Sequence, residues 1–174
     1  MARLPIVIAP HQILKTKAKP VETIDDSVRQ LLDDMLETMY AAPGIGLSAN
    51  QVGVLKRIVV LDVARENEPL QPLKLINPEI VWQSEATGIY NEGCLSIPEL
   101  YADVERPAEI KFRFLDPAGK KQEMAATGLL ATCVQHEIDH LNGVLFIDHL
   151  SALKRNMILR KLTKAQKTKS ESAM

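Results

Sequence analysis

No apolar run in this 174-residue chain approaches the roughly 20 residues needed to cross a bilayer. The longest, such as Ile58 to Leu61, stop at a charge, here Asp62. A membrane-spanning helix is therefore not expected. A secretion signal is lacking too: the apolar stretch Leu4 to Ala9 is interrupted by Pro5 and stopped by Pro10. A cytoplasmic protein is expected, although an organellar protein that had shed its targeting segment would read the same way. Cysteine is scarce. With no secretion signal and a chain long enough for a core of its own, Cys94 and Cys133 read as free thiols rather than a disulfide. The net charge of −1 argues neither for nor against a nucleic-acid partner over the whole surface. Repeats, low-complexity segments and linkers are absent as well, so residues 1–174 read as one domain.

What is present has the pattern of an α+β protein. Val28, Leu31, Leu32, Met35, Leu36 and Met39 recur at helical spacing behind the acidic start Asp25-Asp26, which predicts a helix from about Asp26 to Tyr40 ended by Pro43-Gly44. A glycine-punctuated loop, Gly44 to Gly53, leads to a buried strand over Arg57 to Val63. Short β-like segments follow at Leu73 to Ile76, Glu79 to Gln83, Ala102 to Glu105, Ile110 to Leu115 and Gln122 to Ala126. The last two should pair as a hairpin around Asp116-Pro117-Ala118-Gly119. Gly128 opens a second helix, about Leu129 to Leu141, which Asn142-Gly143 caps. The expected architecture is short, mostly antiparallel strands wrapped around this central helix, with further helices near the two termini.

From Ser151 onward Leu153, Met157, Ile158 and Leu162 have helical spacing, and Lys154, Arg155, Arg160, Lys161, Lys164, Lys167 and Lys169 fill most of the rest. This is either a solvated helix face or a local patch for RNA or another polyanion.

The second helix carries the chemistry. His136-Glu137-Ile138-Asp139-His140 places two imidazoles about 40° apart in azimuth and about 6 Å apart along a helix axis, so both can reach one divalent ion. Glu137 lies about 100° round from His136, which suits a carboxylate that works on water beside the ion rather than on the ion. A catalytic ion typically takes three protein ligands and leaves one position open. Cys133 shares the helix face, but its Cα sits about 7.5 Å along the axis from the midpoint of the histidines, beyond the reach of its short side chain, and it reads as a wall residue. His149 is a candidate, yet the core-like stretch Val144 to Ile147 separates it from the helix, and the spacing lacks the glycine and third histidine of the extended protease motif. Cys94, in Glu92-Gly93-Cys94-Leu95-Ser96, is the better third ligand. The Gly-x-Gly of the loop has neither the third glycine of a dinucleotide site nor a Gly-Lys-Ser/Thr ending, whereas the nearby amide of Gln51 suits a donor aimed into a cleft.

With these segments assembled the chain resembles the peptide deformylase family, metallohydrolases that remove the formyl group from the N-terminal methionine of new polypeptides. The resemblance rests on Gly44-Ile45-Gly46-Leu47-Ser48-Ala49-Asn50-Gln51, on Glu92-Gly93-Cys94-Leu95-Ser96 and on Gln135-His136-Glu137-Ile138-Asp139-His140, and it extends to about Leu150. It implies Cys94, His136 and His140 as ligands of one divalent ion, usually ferrous iron, with zinc, nickel or cobalt able to take its place. It implies Glu137 as the acid and base, Gln51 and the backbone N–H of Leu95 as oxyanion donors, and Gly46 as a support for the substrate backbone. The methionine pocket would comprise Gly44, Ile45, Leu129, Cys133 and His136. Ser48 departs from the alanine frequent at its place, a small-for-small change, and Tyr101 lies in a stretch that varies, so no substrate contact is carried to it.

The expected partners are formyl-methionyl nascent peptides, with the basic C-terminal helix docking on the ribosome; a monomer is expected. Three rivals remain on sequence grounds. They are an endopeptidase, a non-enzymatic module with a structural metal, and an RNA-binding protein that uses the basic tail.

Overall fold

The computed structural model describes residues 2–172; Met1, Ala173 and Met174, at the ends of the expected domain, lie outside the described residues. The order of elements is α1 (Asp26–Ala41), β1 (Gly46–Ser48), β2 (Ile58–Leu61), β3 (Leu73–Gln83), β4 (Thr87–Cys94), β5 (Ile97–Pro107), β6 (Glu109–Leu115), β7 (Lys121–Thr127), α2 (Gly128–Leu141) and α3 (Ala152–Ser172). Short 3-10 turns occur at Gln12–Lys15, Ala49–Val52 and Phe146–His149. No helix among the described residues is long and apolar enough to cross a membrane.

The strands form a five-stranded sheet in the order β1-β2-β3-β6-β7 and a separate β4-β5 pair, all joined antiparallel. Every residue of β2 is buried, because helices cover both faces of the sheet at that point. Val59 and Leu61 turn toward Val134, Ile138 and Leu141 of α2. Ile58 and Val60 turn toward Val28, Leu32, Met35 and Met39 of α1. The period-2 alternation of the strand thus feeds two cores with one continuous apolar run. A third cluster joins Ile97 and Val104 of β5 to Leu145, Phe146 and Ile147 and to Leu162 of α3.

The two ends of α2 are set by backbone chemistry. Gly128 has φ +58°, a conformation that costs a side-chain-bearing residue energy, and it turns the chain from β7 into the helix. At the other end Gly143 has φ +76°, its N–H bonds to His140 O, and a Cβ there would lie 2.5 Å from Lys15 O.

The structure corrects several details of the sequence reading. The strands are not uniformly short: β3 and β5 have 11 residues each. The two segments before and after Asn77-Pro78 are one strand, since Asn77 takes φ +52° and a register shift between Ile76 and Glu79 absorbs the proline without an N–H. The strand expected over Arg57 to Val63 is limited to Ile58–Leu61. The Gly44 to Gly53 loop contains β1 and a 3-10 turn. Strand β4 was not foreseen; it carries Gly88 and Gly93 and is largely exposed, so it lacks an apolar alternation. Strand β5 begins earlier than Ala102 because residues 98–101 bulge opposite Gly93, where Pro98 owes no hydrogen bond to a partner. Finally, α3 packs through Ile158, Leu159 and Leu162, while Leu153 and Met157 of the expected stripe face solvent.

Candidate metal centre and catalytic cleft

Three elements meet at the site. α2 supplies His136, Glu137 and His140 one turn apart, the last residue of β4 supplies Cys94, and the 3-10 turn after β1 supplies Gln51. His136 Nε2 lies 3.2 Å from His140 Nε2, and His140 Nε2 lies 3.3 Å from Cys94 Sγ. All three ligand-type atoms fall within 4.8 Å of one another. An ion with ligand distances of about 2.0 to 2.3 Å in tetrahedral geometry spaces its ligand atoms about 3.3 to 3.6 Å apart, so the residues present fit a divalent cation. Cys133 is not part of this group: its Sγ approaches Ile45 O at 3.7 Å, and burial, followed by the charges of Glu137 and Glu92, pushes its thiol well above the ordinary value. His149 does not join the group either, because its Nε2 bonds to Asp139 Oδ2 at 2.8 Å.

The orientation of the His136 ring has a local cause. His136 Nδ1 sits 2.9 Å from Glu92 Oε1, which turns Nε2 toward the cluster. Burial would raise the Glu92 carboxyl, but hydrogen bonds from His136 and Arg106 hold it below the usual carboxylate value. Arg106 grips Glu92 with Nε at 2.7 Å and Nη2 at 2.9 Å, a bidentate pair in which both side chains are buried. The centre is rich in negative charge. Burial resists protonation of His136, yet its bonds to Cys94 and Glu92 and the charge of Glu137 push its pKa up to about 10. Such surroundings attract a cation. His140 is shifted the other way, well below its ordinary value, by burial and by the His136 and Arg106 charges, which suits a neutral ligand.

Glu137 is almost completely buried and its Oε2 has no hydrogen-bond partner. Burial raises its carboxyl to about 7, against the pull of His136 and Arg106. Gly46 passes directly over it: a Cβ at Gly46 would lie 3.0 Å from Glu137 Cγ and 2.9 Å from Cys133 Sγ. Gln51 turns its Nε2 toward Cys94 Sγ at 3.3 Å and Ser96 Oγ at 3.1 Å.

A cleft of about 780 Å³ opens over these groups. Gly44, Ile45, Gly46, Gln51 and Leu95 line it from one side, and Leu129, Cys133, His136 and Glu137 from α2. Cys94 reaches it at the end of β4, and His140 lies beneath it, fully buried. The residues that the family resemblance implies are thus at or under one cleft, and His149 is not.

The family model described as polypeptide deformylase matches residues 3–156. The chain belongs to the polypeptide deformylase family. The enzyme is a metal-dependent hydrolase that removes the N-formyl group from nascent polypeptides. It is 59% identical over 170 residues to the peptide deformylase of Rhizobium meliloti (strain 1021), with 98% of each chain covered. It is 57% identical to that of Phenylobacterium zucineum (strain HLK1), covering 96% of this chain and 99% of the relative. Among solved structures it is similar to the peptide deformylase of Ehrlichia chaffeensis, with a TM-score of 0.93, 42% identity and coverage of 97% of this chain and 99% of that one.

Two groups in the deformylase site escaped the sequence reading. Arg106 gave no signal, since its partner Glu92 is named only through the neighbouring Cys94, and Arg106 stands opposite Gly88 on the β4-β5 pair and reaches along it to Glu92. Ser48 reads as a neutral replacement, yet its N–H and hydroxyl both bond to Gln51 Oε1. Tyr101, to which no role was carried, lies at the rim with its ring filling the space where a Cβ of Gly93 would stand.

Proposed function

We propose that Cys94, His136 and His140 hold one divalent ion, ferrous iron in the cell with zinc, nickel or cobalt able to replace it, and that Glu137 is the acid and base of formyl hydrolysis. The observation that carries this reading is the convergence of Cys94 Sγ, His136 Nε2 and His140 Nε2 beside the buried Glu137 carboxylate, whose Oε2 has no hydrogen-bond partner. When bound, the ion supplies Lewis acidity, which makes water a nucleophile near neutral pH.

The chain's own residues do the rest. Glu137, with a carboxyl raised toward neutrality, takes a proton from the water as its oxygen bonds to the formyl carbon. Charge gathering on the formyl oxygen meets the Gln51 amide N–H and the Leu95 backbone N–H. As the C–N bond breaks, Glu137 gives its proton to the departing amine, leaving formate and a free N-terminus. The methionine side chain lodges against Gly44, Ile45, Leu129 and Cys133 beside His136, while Gly46 lets the substrate backbone pass close to Glu137. A thiolate ligand makes a ferrous site prone to oxidation, so activity is sensitive to air.

We further read α3 as the part of the molecule that meets the ribosome. Its cations Lys154, Arg160, Lys161, Lys164, Lys167 and Lys169 stand on the exposed surface, and cations so arranged favour a polyanion. The reaction is placed in the cytoplasm and carried out by a monomer on formyl-methionyl chains.

The test is formate release from formyl-Met-Ala by anaerobically prepared protein, with metal analysis of the same samples. One ion per chain and turnover lost together in Cys94→Ala and His136→Ala support the reading. Full activity in Cys94→Asp would overturn it in favour of an ordinary metallopeptidase ligand set.

A further inference from the structure

His149, set aside as a ligand, ends an unbroken run of hydrogen bonds that begins at the metal centre. His136 Nδ1 meets Glu92 Oε1 at 2.9 Å, and Arg106 grips both oxygens of Glu92. Arg106 Nη1 continues to Asp139 Oδ2 at 2.8 Å, and His149 Nε2 reaches the same Oδ2 at 2.8 Å. Side-chain exposure rises outward along this path, from 5% at Glu92 and Arg106 to 25% at Asp139 and 36% at His149. The 3-10 turn that carries His149 makes a second, independent contact with the same ligand: Phe146 stacks on the His136 ring, centroids 6.0 Å apart and planes 22° from parallel.

We propose that His149 is a positioning residue for the metal centre, securing Asp139 and through it the Arg106 clamp that aims His136. The inference rests on the reading of His136 as a metal ligand. A guanidinium is planar and rigid, so the two carboxylates it grips fix its orientation jointly. Asp139 is the outer of the two and is partly open to water. With His149 donating to it, Oδ2 has two partners; without His149 it is held by Arg106 alone. Glu92 Oε1 is shared between Arg106 and His136 Nδ1, so slack in the clamp passes to the imidazole whose Nε2 faces the ion. Outer groups of this kind act on metal retention more than on folding. A half-exposed ion pair considered only for its own sake contributes little to stability.

The inference is tested with Co²⁺-loaded enzyme, following loss of the thiolate-to-cobalt absorption band after addition of EDTA. His149→Phe keeps the ring volume and removes the donor; it should release Co²⁺ about fivefold faster while the unfolding midpoint of the metal-free protein stays put. His149→Arg restores a donor to Asp139 and should release at a rate within about twofold of the original. Release from His149→Phe at the original rate overturns the inference. So does faster release in both variants or a lowered midpoint, either of which marks general loosening. Cys94→Ala distinguishes failure of the positioning role from failure of the ligand set. Absence of its band with an unchanged His149→Phe rate sinks the inference alone, and persistence of its band sinks the ligand reading together with the inference.

Discussion

The side-chain amide of Gln51 is aimed by Ser48. Its Oε1 accepts the Ser48 backbone N–H at 3.0 Å and the hydroxyl at 3.2 Å, which leaves Nε2 directed at Cys94 Sγ, 3.3 Å away. The acceptor end is thereby committed to the protein, and the donor end, which meets Cys94 Sγ and Ser96 Oγ, lies beside the metal cluster, where the proposed mechanism needs a donor for the formyl oxygen. Replacing Gln51 by Ala should lower kcat by about 10²- to 10³-fold, the loss typical of one oxyanion donor, with KM and metal content little changed. Ser48→Ala keeps the backbone N–H bond, so its kcat should remain within about fivefold, as befits one lost hydrogen bond. Steady-state kinetics on a formyl-Met peptide checks both.

Gly46→Ala tests the closeness of the backbone to the base. The added methyl would meet Glu137 Cγ at 3.0 Å and Cys133 Sγ at 2.9 Å, forcing Glu137 or β1 to shift. A misplacement of that order costs about 10²-fold in kcat, with the fold and bound metal retained. Circular dichroism, metal analysis and turnover on one preparation separate these effects.

The Glu92–Arg106 pair should matter to folding as well as to chemistry. Removing the carboxylate in Glu92→Ala leaves a guanidinium buried with only Asp139 to face. The expected loss is about 3 kcal/mol, measured by urea unfolding of the metal-free protein, because an uncompensated buried charge is the costly product. A loss well under 1 kcal/mol would contradict this account of the pair.

How much of this was legible in the sequence depends on whether a feature is local. The helical spacing of His136 and His140, the glycine stop at Gly143 and the hairpin of Ile110 to Leu115 with Gln122 to Ala126 follow from rules that act within a few residues, and the structure has all three, the hairpin strands each slightly longer. Cys94 was recognisable as a candidate ligand, and it does lie beside His136 and His140. The strand that carries it was not, because β4 is exposed and has no apolar face to betray it. The Glu92–Arg106–Asp139 network was hidden for a different reason: its members are 14 and 33 residues apart, and only the β4-β5 register and the docking of α2 bring them together. In α3 the apolar residues allow two stripes a fraction of a turn apart, and only contact with Ile97 and Phe146 selects Ile158, Leu159 and Leu162.

Gly143→Ala probes the contact between the end of α2 and the N-terminal segment. At φ +76°, with Lys15 O 2.5 Å from the new Cβ, the variant should lose about 2 kcal/mol or more of stability. Thermal unfolding measures it, and no shift would mean that the segment at Lys15 moves aside freely.

Alkaline stability should report on Tyr40. Its hydroxyl donates to Asp62 Oδ2 at 2.6 Å, and burial, then Asp62, push the phenol well above its ordinary value. A raised folded pKa gives stability that is complete below the unfolded pKa of about 10 and fades as pH climbs toward the folded value. The stability advantage of the enzyme over Tyr40→Phe should therefore shrink above about pH 10, as followed by urea unfolding at several pH values. An advantage constant with pH would contradict the assignment.

In the proposed mechanism Glu137 moves the proton while Cys94, His136 and His140 hold the ion. Formate release by anaerobically prepared Glu137→Ala, with metal counted in the same sample, tests it most directly. One ion per chain as before and turnover lower by about 10²- to 10⁴-fold are expected; turnover near that of the unaltered enzyme, with the ion in place, would rule out Glu137 as the acid and base.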